Sequence, residues 1–340
     1  MNKALPSPGR VSRGSSRAAW LASGLLILSA LGLALGASIG STGFESLLRV
    51  RDDAVAWQII GEVRIPRTLG AWLAGALLGL AGAVAQGLFR NPLADPFLLG
   101  SASGAMLAVA IALALLGGSM SAASWVGKLG LTGAAFIGAL AGVLLTLVLA
   151  QGVQHTLRLL LAGVVVGYVL GALKDLLTLY KPDVLTAMVG FMLGNTSFIG
   201  WHSCVVMTAT LLPCMALAWG LARVLDGLSL GEATAQSLGL PLAPMRAALV
   251  GVLALATGAA VAQAGLIGFV GLAAPHLVRP LARVTHGPLV LLAALMGGLL
   301  LMLADIAARA LIWPQELPVG VLTAVLGGSY LLWLMYRRTR

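Results

Sequence analysis

Long apolar stretches of about twenty residues recur along the whole chain, and short segments with charged residues or proline separate them. A helix of about twenty residues crosses the ~30 Å hydrocarbon core of a bilayer. No ten-residue segments of alternating polarity occur, which argues against a membrane β-barrel. The pattern predicts ten membrane-spanning helices, near residues 20–40, 66–88, 96–116, 125–150, 157–179, 203–222, 245–265, 267–282, 288–308 and 318–336.

Composition leads to the same class. Apolar residues make up 59% of the chain and charged residues 9%, and the mean hydropathy is +1.00. Soluble domains carry about 25% charged residues, so this chain has too few to cover a surface that faces water. We therefore expect an all-α integral membrane protein. Residues 1–19 are predicted to form a cytoplasmic N-terminal tail, and residues 20–340 a single transmembrane domain.

The net charge of +10 does not indicate a nucleic-acid partner, because the placement of the basic residues explains it. If the N-terminus is cytoplasmic, most of the 21 basic residues fall in cytoplasmic segments, as the positive-inside rule requires. Both termini are then predicted to be cytoplasmic. Four arginines oppose this bias, since they fall on the outer side, and they need another explanation, namely Arg49, Arg51, Arg64 and Arg67.

The sequence lacks the motifs of several enzyme and metal-binding classes. It has no G-x-x-x-x-G-K-[ST] loop, so we do not expect it to hydrolyse ATP unaided. Its four histidines have no helical i, i+4 partner among themselves, so neither a metal site nor a cofactor is expected. Cys204 and Cys214 lie roughly 15 Å apart along one predicted span, which is too far for a disulfide between them.

Ionisable residues near the ends of the spans are candidates for function. Asp305 and Arg309 have the i, i+4 spacing of an ion pair on one helix face, and a purely structural pair remains an alternative. Lys174 and Asp175 are adjacent, so their side chains point about 100° apart and are not expected simply to neutralise each other. One of them could face a cavity, or both could reach towards the interface.

Two longer polar segments also stand out. Residues 223–244 form a predicted cytoplasmic loop with helix-forming runs, which is either a docking surface or a mere connector. Residues 181–202 are interrupted by three glycines, so we expect a short helix at the outer surface rather than a span.

Several motifs together make the sequence resemble the iron-chelate, haem and cobalamin ABC importer permease family. The resemblance covers roughly residues 60–328, and its motifs occur in the family's order. They are R-I-P-R at 64–67, A-G-A-x-L-x-x-A-G-A-x-x-Q at 74–86, R-N-P-L-A-D-P at 90–96, L-L-L-A-G at 159–163, L-G-E-x-x-A-x-x-L-G-L at 230–240, G-x-I-G-F-V-G-L-x-x-P-H at 265–276, L-A-D-x-x-A-R at 303–309 and E-L-P-V-G-V-x-T-A at 316–324.

The resemblance implies a homodimer of ten-helix subunits around a central translocation pathway. It also implies two partners, namely two copies of an ABC ATP-binding subunit below and a periplasmic substrate-binding protein above. The expected location is the bacterial inner membrane, and the expected cargo is an iron-siderophore, haem or cobalamin. ATP hydrolysis would belong to the partner subunits, so the chain itself is not expected to be an enzyme.

The resemblance further assigns roles to individual residues. Docking to the binding protein is implied for Arg64, Arg67 and Arg309, and an interfacial anchor is the alternative for the first two. Contact with the ATPase is implied for a set in the 223–244 loop, namely Gly231, Glu232, Ala235, Leu238 and Gly239. The family's cytoplasmic gate corresponds to His155 and Thr156, and its pathway would be lined by the fifth span and the short helix after it.

Two other classes of function remain open. An ion-coupled secondary transporter would need carboxylates inside the membrane, and Asp175 and Asp305 are the candidates. A membrane enzyme would need a catalytic grouping that the spacing of the polar residues does not suggest.

Overall fold

The computed structural model describes residues 9–40, 43–44, 54–115, 125–153, 156–237, 239, 241–312 and 315–338. Almost all of these residues are helical, and one short antiparallel pair of strands, β1 (Ile39–Gly40) and β2 (Gly43–Phe44), follows the first helix. The helices are α1 (Gly9–Ser38), α2 (Ala54–Ile59), α3 (Ile65–Leu88), α4 (Ser101–Leu115), α5 (Trp125–Leu149), α6 (Thr156–Tyr180), α7 (Pro182–Met192), α8 (Trp201–Gly220), α9 (Ala222–Ser229), α10 (Glu232–Ser237), α11 (Leu242–Ala264), α12 (Val270–Leu281), α13 (His286–Ala310) and α14 (Val319–Arg338).

Each of the ten predicted spans coincides with a helix. Among the described residues, seven helices are long and apolar enough to cross a membrane, and α4, α7 and α14 supply shorter apolar segments. The predicted eighth span is only the twelve-residue helix α12. At about 1.5 Å per residue it is roughly 18 Å long, which is less than the thickness of the hydrocarbon core. The short helix expected within 181–202 is α7, which covers Pro182–Met192.

The helix found at the second predicted span begins well before the apolar run that predicted it. A continuous 35-residue helical stretch runs over Ala54–Leu88, and its α2 and α3 parts are joined by one π-helical turn, Ile60–Arg64. The carbonyl of Gly61 in this turn accepts a hydrogen bond from the indole of Trp201, at 3.0 Å. The π turn is therefore held by the first residue of α8.

Helix α3 lies at the centre of the bundle, where it is almost wholly buried and packs mainly against α13. The close approach depends on glycine. A Cβ atom added at Gly75 would lie 2.2 Å from the carbonyl oxygen of Gly297, and one at Gly79 would lie 2.2 Å from that of Ala293. Small residues thus let the two backbones touch, as helices in lipid commonly do.

Helices α4 and α5 form a second close pair by the same means. A Cβ at Gly104 would lie 2.2 Å from the carbonyl oxygen of Gly138, and a Cβ at Gly138 would lie 2.3 Å from the carbonyl oxygen of Gly104. Helix α6 packs beside this pair and leaves most of its own surface uncovered by the subunit. An uncovered helix in a bundle this size faces lipid, a pathway or another copy of the chain.

The two ends of the bundle are identified by the contacts made there. At one end, Arg309 in the last turn of α13 donates to the carbonyl of Ile39, which follows α1, at 2.9 Å. We call this the Arg309 end. At the other end, where α6, α11 and α13 begin, Thr156 contacts Glu232 of α10 and His286 contacts Asp226 of α9. We call this the Glu232 end.

Candidate functional site

Asp305 is the centre of an ion cluster at the Arg309 end. Its carboxylate is completely buried and pairs with Arg309 one turn along α13, at 2.7 Å. It also accepts a hydrogen bond from Arg67 at the start of α3, at 3.1 Å. The hydroxyl of Thr196, from the segment between α7 and α8, donates to the same carboxylate at 2.5 Å. One carboxylate therefore joins three parts of the chain.

The two arginines of this cluster have further acceptors within the subunit. Arg67 pairs with Glu316 at 2.9 Å, and Glu316 in turn accepts from the hydroxyl of Ser197 at 3.0 Å. Arg309 donates to the hydroxyl of Thr68, at 3.1 Å. Burying a charge is costly unless it is paired and hydrogen-bonded. Both arginines meet this condition, since each has a carboxylate and a further acceptor.

Arg64 lies beside the cluster, at the end of the π turn. Its side chain approaches the carbonyl of Ala37 at 3.5 Å, and the residue is 5% exposed. All three arginines predicted to dock a binding protein are thus buried at one end of the bundle, and Arg67 and Arg309 are directed at acceptors of their own chain. The expected i, i+4 pair of Asp305 and Arg309 is present, while Thr196, Ser197 and Glu316 were not expected as partners.

Glu232 is the centre of a second cluster, at the opposite end. Its carboxylate forms an ion pair with Arg246 of α11 and accepts from the hydroxyl of Thr156 at 3.3 Å. Arg246 is 3% exposed and also donates to the carbonyl of Val153 at 3.4 Å. Glu232 and Thr156, assigned to separate roles by the sequence, are therefore in direct contact.

The surroundings of Glu232 keep it ionised. Burial on its own raises the pKa of this carboxyl, but the hydrogen bond and positive charge of Arg246, with smaller contributions from Thr156 and Arg90, bring the pKa below its ordinary value. Glu232 is consequently a carboxylate at neutral pH.

The residues predicted to contact the ATPase differ in their exposure. Ala235 is completely buried in the core of its own subunit, while Gly239 is exposed. The outer face of α10 consists of small residues that the sequence analysis did not single out, namely Ala233, Thr234, Gln236 and Ser237. Gly231 and Gly239 have φ values of 108° and 75°, which glycine adopts without strain.

Two of the predicted residues, Leu238 and His155, lie outside the described residues. Within the described part of the chain, no group of three His, Cys, Asp or Glu side chains is arranged to hold a metal ion. Cys204 and Cys214 are both free thiols and both buried.

Lys174 and Asp175 form an ion pair at 2.5 Å, although their spacing on α6 did not favour one. The flexible lysine side chain is 8% exposed, and it folds back onto the neighbouring carboxylate, whose side chain is 70% exposed. The expectation that adjacent residues do not neutralise each other is therefore wrong here.

Asp175 also lies at one end of a groove of about 580 Å³ along α6. Three glycines spaced four apart, Gly163, Gly167 and Gly171, line it together with Tyr168. The opposite wall includes Asp95 and Phe97 at the 3₁₀ turn Pro96–Leu99. The groove thus combines a flat apolar wall with carboxylates.

The comparisons with known proteins agree with one another. The model of the FecCD transport family matches residues 24–337. The hemin transport system permease protein HmuU of Yersinia pestis is 38% identical over 316 residues, which is 92% of this chain and 93% of HmuU. The vitamin B12 import system permease protein BtuC of Salmonella typhimurium is 39% identical over 323 residues, which is 94% of this chain and 96% of BtuC.

A solved structure shares the fold as well. It shows an inward-facing conformation of a protein described as a metal-chelate type ABC transporter, and it matches with a TM-score of 0.82 and 29% sequence identity. The match covers 93% of this chain and 98% of that one. Because the family model and both relatives cover more than nine tenths of the sequence, the chain belongs to the FecCD transport family and is a permease of the ABC importer type.

Proposed function

We propose that this permease imports haem, cobalamin or a related iron chelate across a bacterial inner membrane. Its similarity to HmuU and BtuC over nearly its full length carries the proposal. Haem and cobalamin both contain a large, nearly planar macrocycle, which carries acidic groups in haem and amide groups in cobalamin. A glycine-lined groove suits the flat face of such a molecule, because glycine removes the side chains that would keep it at a distance.

The pathway would be formed by two copies of the chain. Helix α6 supports this, because it is long enough to span a membrane and yet is mostly uncovered in the single subunit. The groove beside Gly167 and Tyr168 would then line the pathway. Both termini are proposed to be cytoplasmic, which places the Glu232 end inside and the Arg309 end in the periplasm.

The ATPase would dock on the Glu232 end, one ATP-binding subunit to each copy. The exposed face of α10, with Thr234, Gln236 and Ser237, is the surface available for that contact. Gly231, Glu232 and Ala235 would shape the segment from within, since they face their own subunit. Leu238 and Gly239 would complete the contact, and His155 and Thr156 would form the cytoplasmic gate next to it.

The substrate-binding protein would dock on the Arg309 end. Within the cluster Arg67 and Arg309 are balanced by Asp305 and Glu316, and Arg64 beside it is accompanied by the exposed Glu62. The docking proposal therefore rests on the family's motifs at Arg64, Arg67 and Arg309 rather than on an excess of charge. Glu316, whose side chain is 25% exposed, is the charged member of the cluster nearest to the surface.

A secondary transporter is less well supported. Its candidate ion-binding carboxylates, Asp175 and Asp305, each take part in an ion pair with a basic residue, which leaves neither as a free intramembrane carboxylate.

Purification of the tagged chain together with its ATPase tests the proposal. We expect a complex of two permease and two ATPase subunits in detergent, which after reconstitution takes up radiolabelled cobalamin or haem only with ATP and a binding protein. Uptake driven by an ion gradient without ATP would contradict the proposal, and so would failure to recover any ATPase.

Charge reversal tests the docking surface. Replacing Arg64 and Arg67 by glutamate should weaken capture of the binding protein by at least about tenfold, because it removes two positive charges from the Arg309 end and adds carboxylates beside Asp305 and Glu316. Arg223→Glu is the matched control, since Arg223 is exposed at the opposite end. A thermal melt verifies that the variants are folded, and unchanged capture by a folded double variant would exclude this docking role.

A further inference from the structure

Glu232 contacts the start of α6 as well as its own segment. The carboxylate belongs to the first residue of α10, its hydrogen-bond donor Thr156 is the first residue of α6, and the two are 76 residues apart in the sequence. A side-chain contact thus spans the proposed ATPase-docking segment and the helix that lines the groove.

Arg246 reinforces the same connection. One guanidinium nitrogen pairs with Glu232 and another donates to the carbonyl of Val153, three residues before α6 begins. The side chain is almost fully buried, so it cannot move into water when α10 is displaced. Arg246 therefore links α10 and α11 to Val153, just before α6.

Among the described residues, the contacts of the neighbouring carboxylate, Asp226, lead to α13 rather than to α6. Asp226 of α9 pairs with His286 at the start of α13, at 2.7 Å, and also accepts from the backbone NH of His286 at 3.0 Å. The same end of the bundle thus holds two carboxylates of similar exposure, each bonded to a nitrogen-containing side chain, and of these only Glu232 reaches α6 through the contacts described above.

We propose that Glu232 is the residue that transmits displacement of α10 to the cytoplasmic start of α6, through Arg246 and Thr156. The inference rests on the proposed docking of an ATPase at α10. Glu232 acts here as a positioning residue, since it faces its own subunit and leaves the outer face of α10 to the partner.

A charged contact is well suited to transmit movement from α10 to α6. The exposed face of α10 carries small residues, and α10 has only six residues, so it has little apolar surface with which to grip its neighbours. A charge-assisted hydrogen bond is shorter and stronger than a neutral one. Glu232 also bonds to two different elements, so a shift of α10 changes both distances together.

The test measures the response of α6 to nucleotide in the complete complex. Cys204 and Cys214 are replaced by alanine, and a single cysteine is introduced by Leu157→Cys, at a residue that is 71% exposed and outside the cluster. The rate of labelling by a water-soluble maleimide is then compared with and without ATP and vanadate. We expect nucleotide to change the rate by about fivefold or more, the low end of typical coupling between sites.

The variants separate transmission from simple stabilisation. Glu232→Ala should still co-purify with the ATPase but lose the nucleotide-dependent change in labelling. Glu232→Asp should retain part of the change, because it keeps the charge. Asp226→Ala removes the matched contact with His286 and should retain the full change. If Glu232→Ala does not fold, Thr156→Val removes one of the two bonds and should reduce the response.

Several results would overturn the inference. One is a nucleotide response that Glu232→Ala, or in its place Thr156→Val, leaves intact. Another is a loss of the nucleotide response in Asp226→Ala as large as that in Glu232→Ala. A third is a wild-type complex whose labelling rate does not change with nucleotide. Each of these leaves the proposed function standing, provided that the ATPase co-purifies. Failure of co-purification in the wild-type chain would instead contradict the proposed function itself.

Discussion

Asp305 shows how much a single side chain can organise in this protein. It accepts from Arg67, Thr196 and Arg309, which come from α3, from the segment after α7 and from α13. Without its negative charge, two buried guanidinium groups would lose their common counter-ion. Removing one partner of a buried ion pair is far more costly than never having had the pair.

Replacement of Asp305 by asparagine should therefore destabilise the subunit by about 3–5 kcal/mol. The measurement is the unfolding midpoint of the purified protein in detergent. Glu316→Gln is the matched control, because Glu316 also pairs with Arg67 but is partly exposed. A smaller loss is expected for it, and equal losses in both variants would show that burial does not determine the cost.

The Glu232 pair should give a stability that depends on pH. The pKa of Glu232 is lowered in the folded state from an ordinary value of 4.5. A lowered carboxyl pKa contributes stability above the unfolded pKa, and this stability is lost as the pH falls through the folded pKa. The difference in unfolding midpoint between the wild type and Glu232→Gln should thus be constant from pH 8 to about 5 and shrink below about 4.5. A difference that grows in acid would contradict the ion pair.

At the scale of the elements, the contact between α3 and α13 determines how tightly the centre of the bundle packs. Gly75 meets the backbone of Gly297, which cannot move aside as a flexible side chain can. A methyl group there must push the two helices apart.

Gly75→Ala should destabilise the protein by about 1–3 kcal/mol, the usual cost of overpacking. Gly251→Ala in α11 is the control, because a Cβ at Gly251 would meet nothing within 4 Å. The control should be neutral or slightly stabilising, since alanine favours helix more than glycine does. Unfolding midpoints of both variants in detergent provide the comparison, and equal midpoints would contradict the close approach.

The helices could be predicted from sequence because each one depends mainly on its own residues. Runs of about twenty apolar residues gave helices α3, α5, α6, α8, α11 and α13 within a few positions. Helix α1 begins at Gly9, eleven residues before the predicted span and within the predicted tail, because its first residues are polar and basic. The short α12 was overestimated, because its apolar residues continue into the glycine-rich segment before it. The extension of α3 back to Ala54 was missed, since that part of the helix is not a continuous apolar run.

The contacts between distant residues could be predicted only in part. The pairing of Asp305 with Arg309 follows from a spacing of four. The contact of Arg67 with Asp305 joins residues 238 apart, and that of Glu232 with Thr156 joins residues 76 apart. No periodicity indicates such contacts, because they depend on which helices become neighbours. The resemblance to the family singled out Arg67, Arg309, Glu232 and Thr156 for contacts with other proteins or for a gate, and it did not indicate these contacts within the subunit.

For the whole molecule, the question is which surfaces face lipid and which face a pathway. Helices α1 and α6 both leave most of their surface uncovered in the single subunit. Only α6 borders a groove with carboxylates in its walls, and α1 presents aliphatic residues. The two helices should accordingly differ in their access to water.

A cysteine at Tyr168 in the middle of α6 should react with a water-soluble thiol reagent in membranes, whereas one at Ile27 in the middle of α1 should not. The side chains at these positions are 78% and 61% exposed, so the protein itself shields neither. Because the thiolate is the reactive form, a cysteine surrounded by lipid is protected. Equal reaction at both sites, in a protein without Cys204 and Cys214, would contradict a pathway along α6.

The π turn between α2 and α3 determines the direction in which α2 points. A π turn contains one more residue than an α turn, because its hydrogen bonds span five residues instead of four. Removing one residue of Ile60–Arg64 would let it close as an α turn and draw Val55 and Trp57 by about 1.5 Å along the helix axis towards α3. It would also shift the Gly61 carbonyl away from the Trp201 indole. A one-residue deletion here should consequently reshape the surface at the Arg309 end while leaving α3 itself in register, and so show whether the proposed docking can be lost while the packing of α3 stays intact.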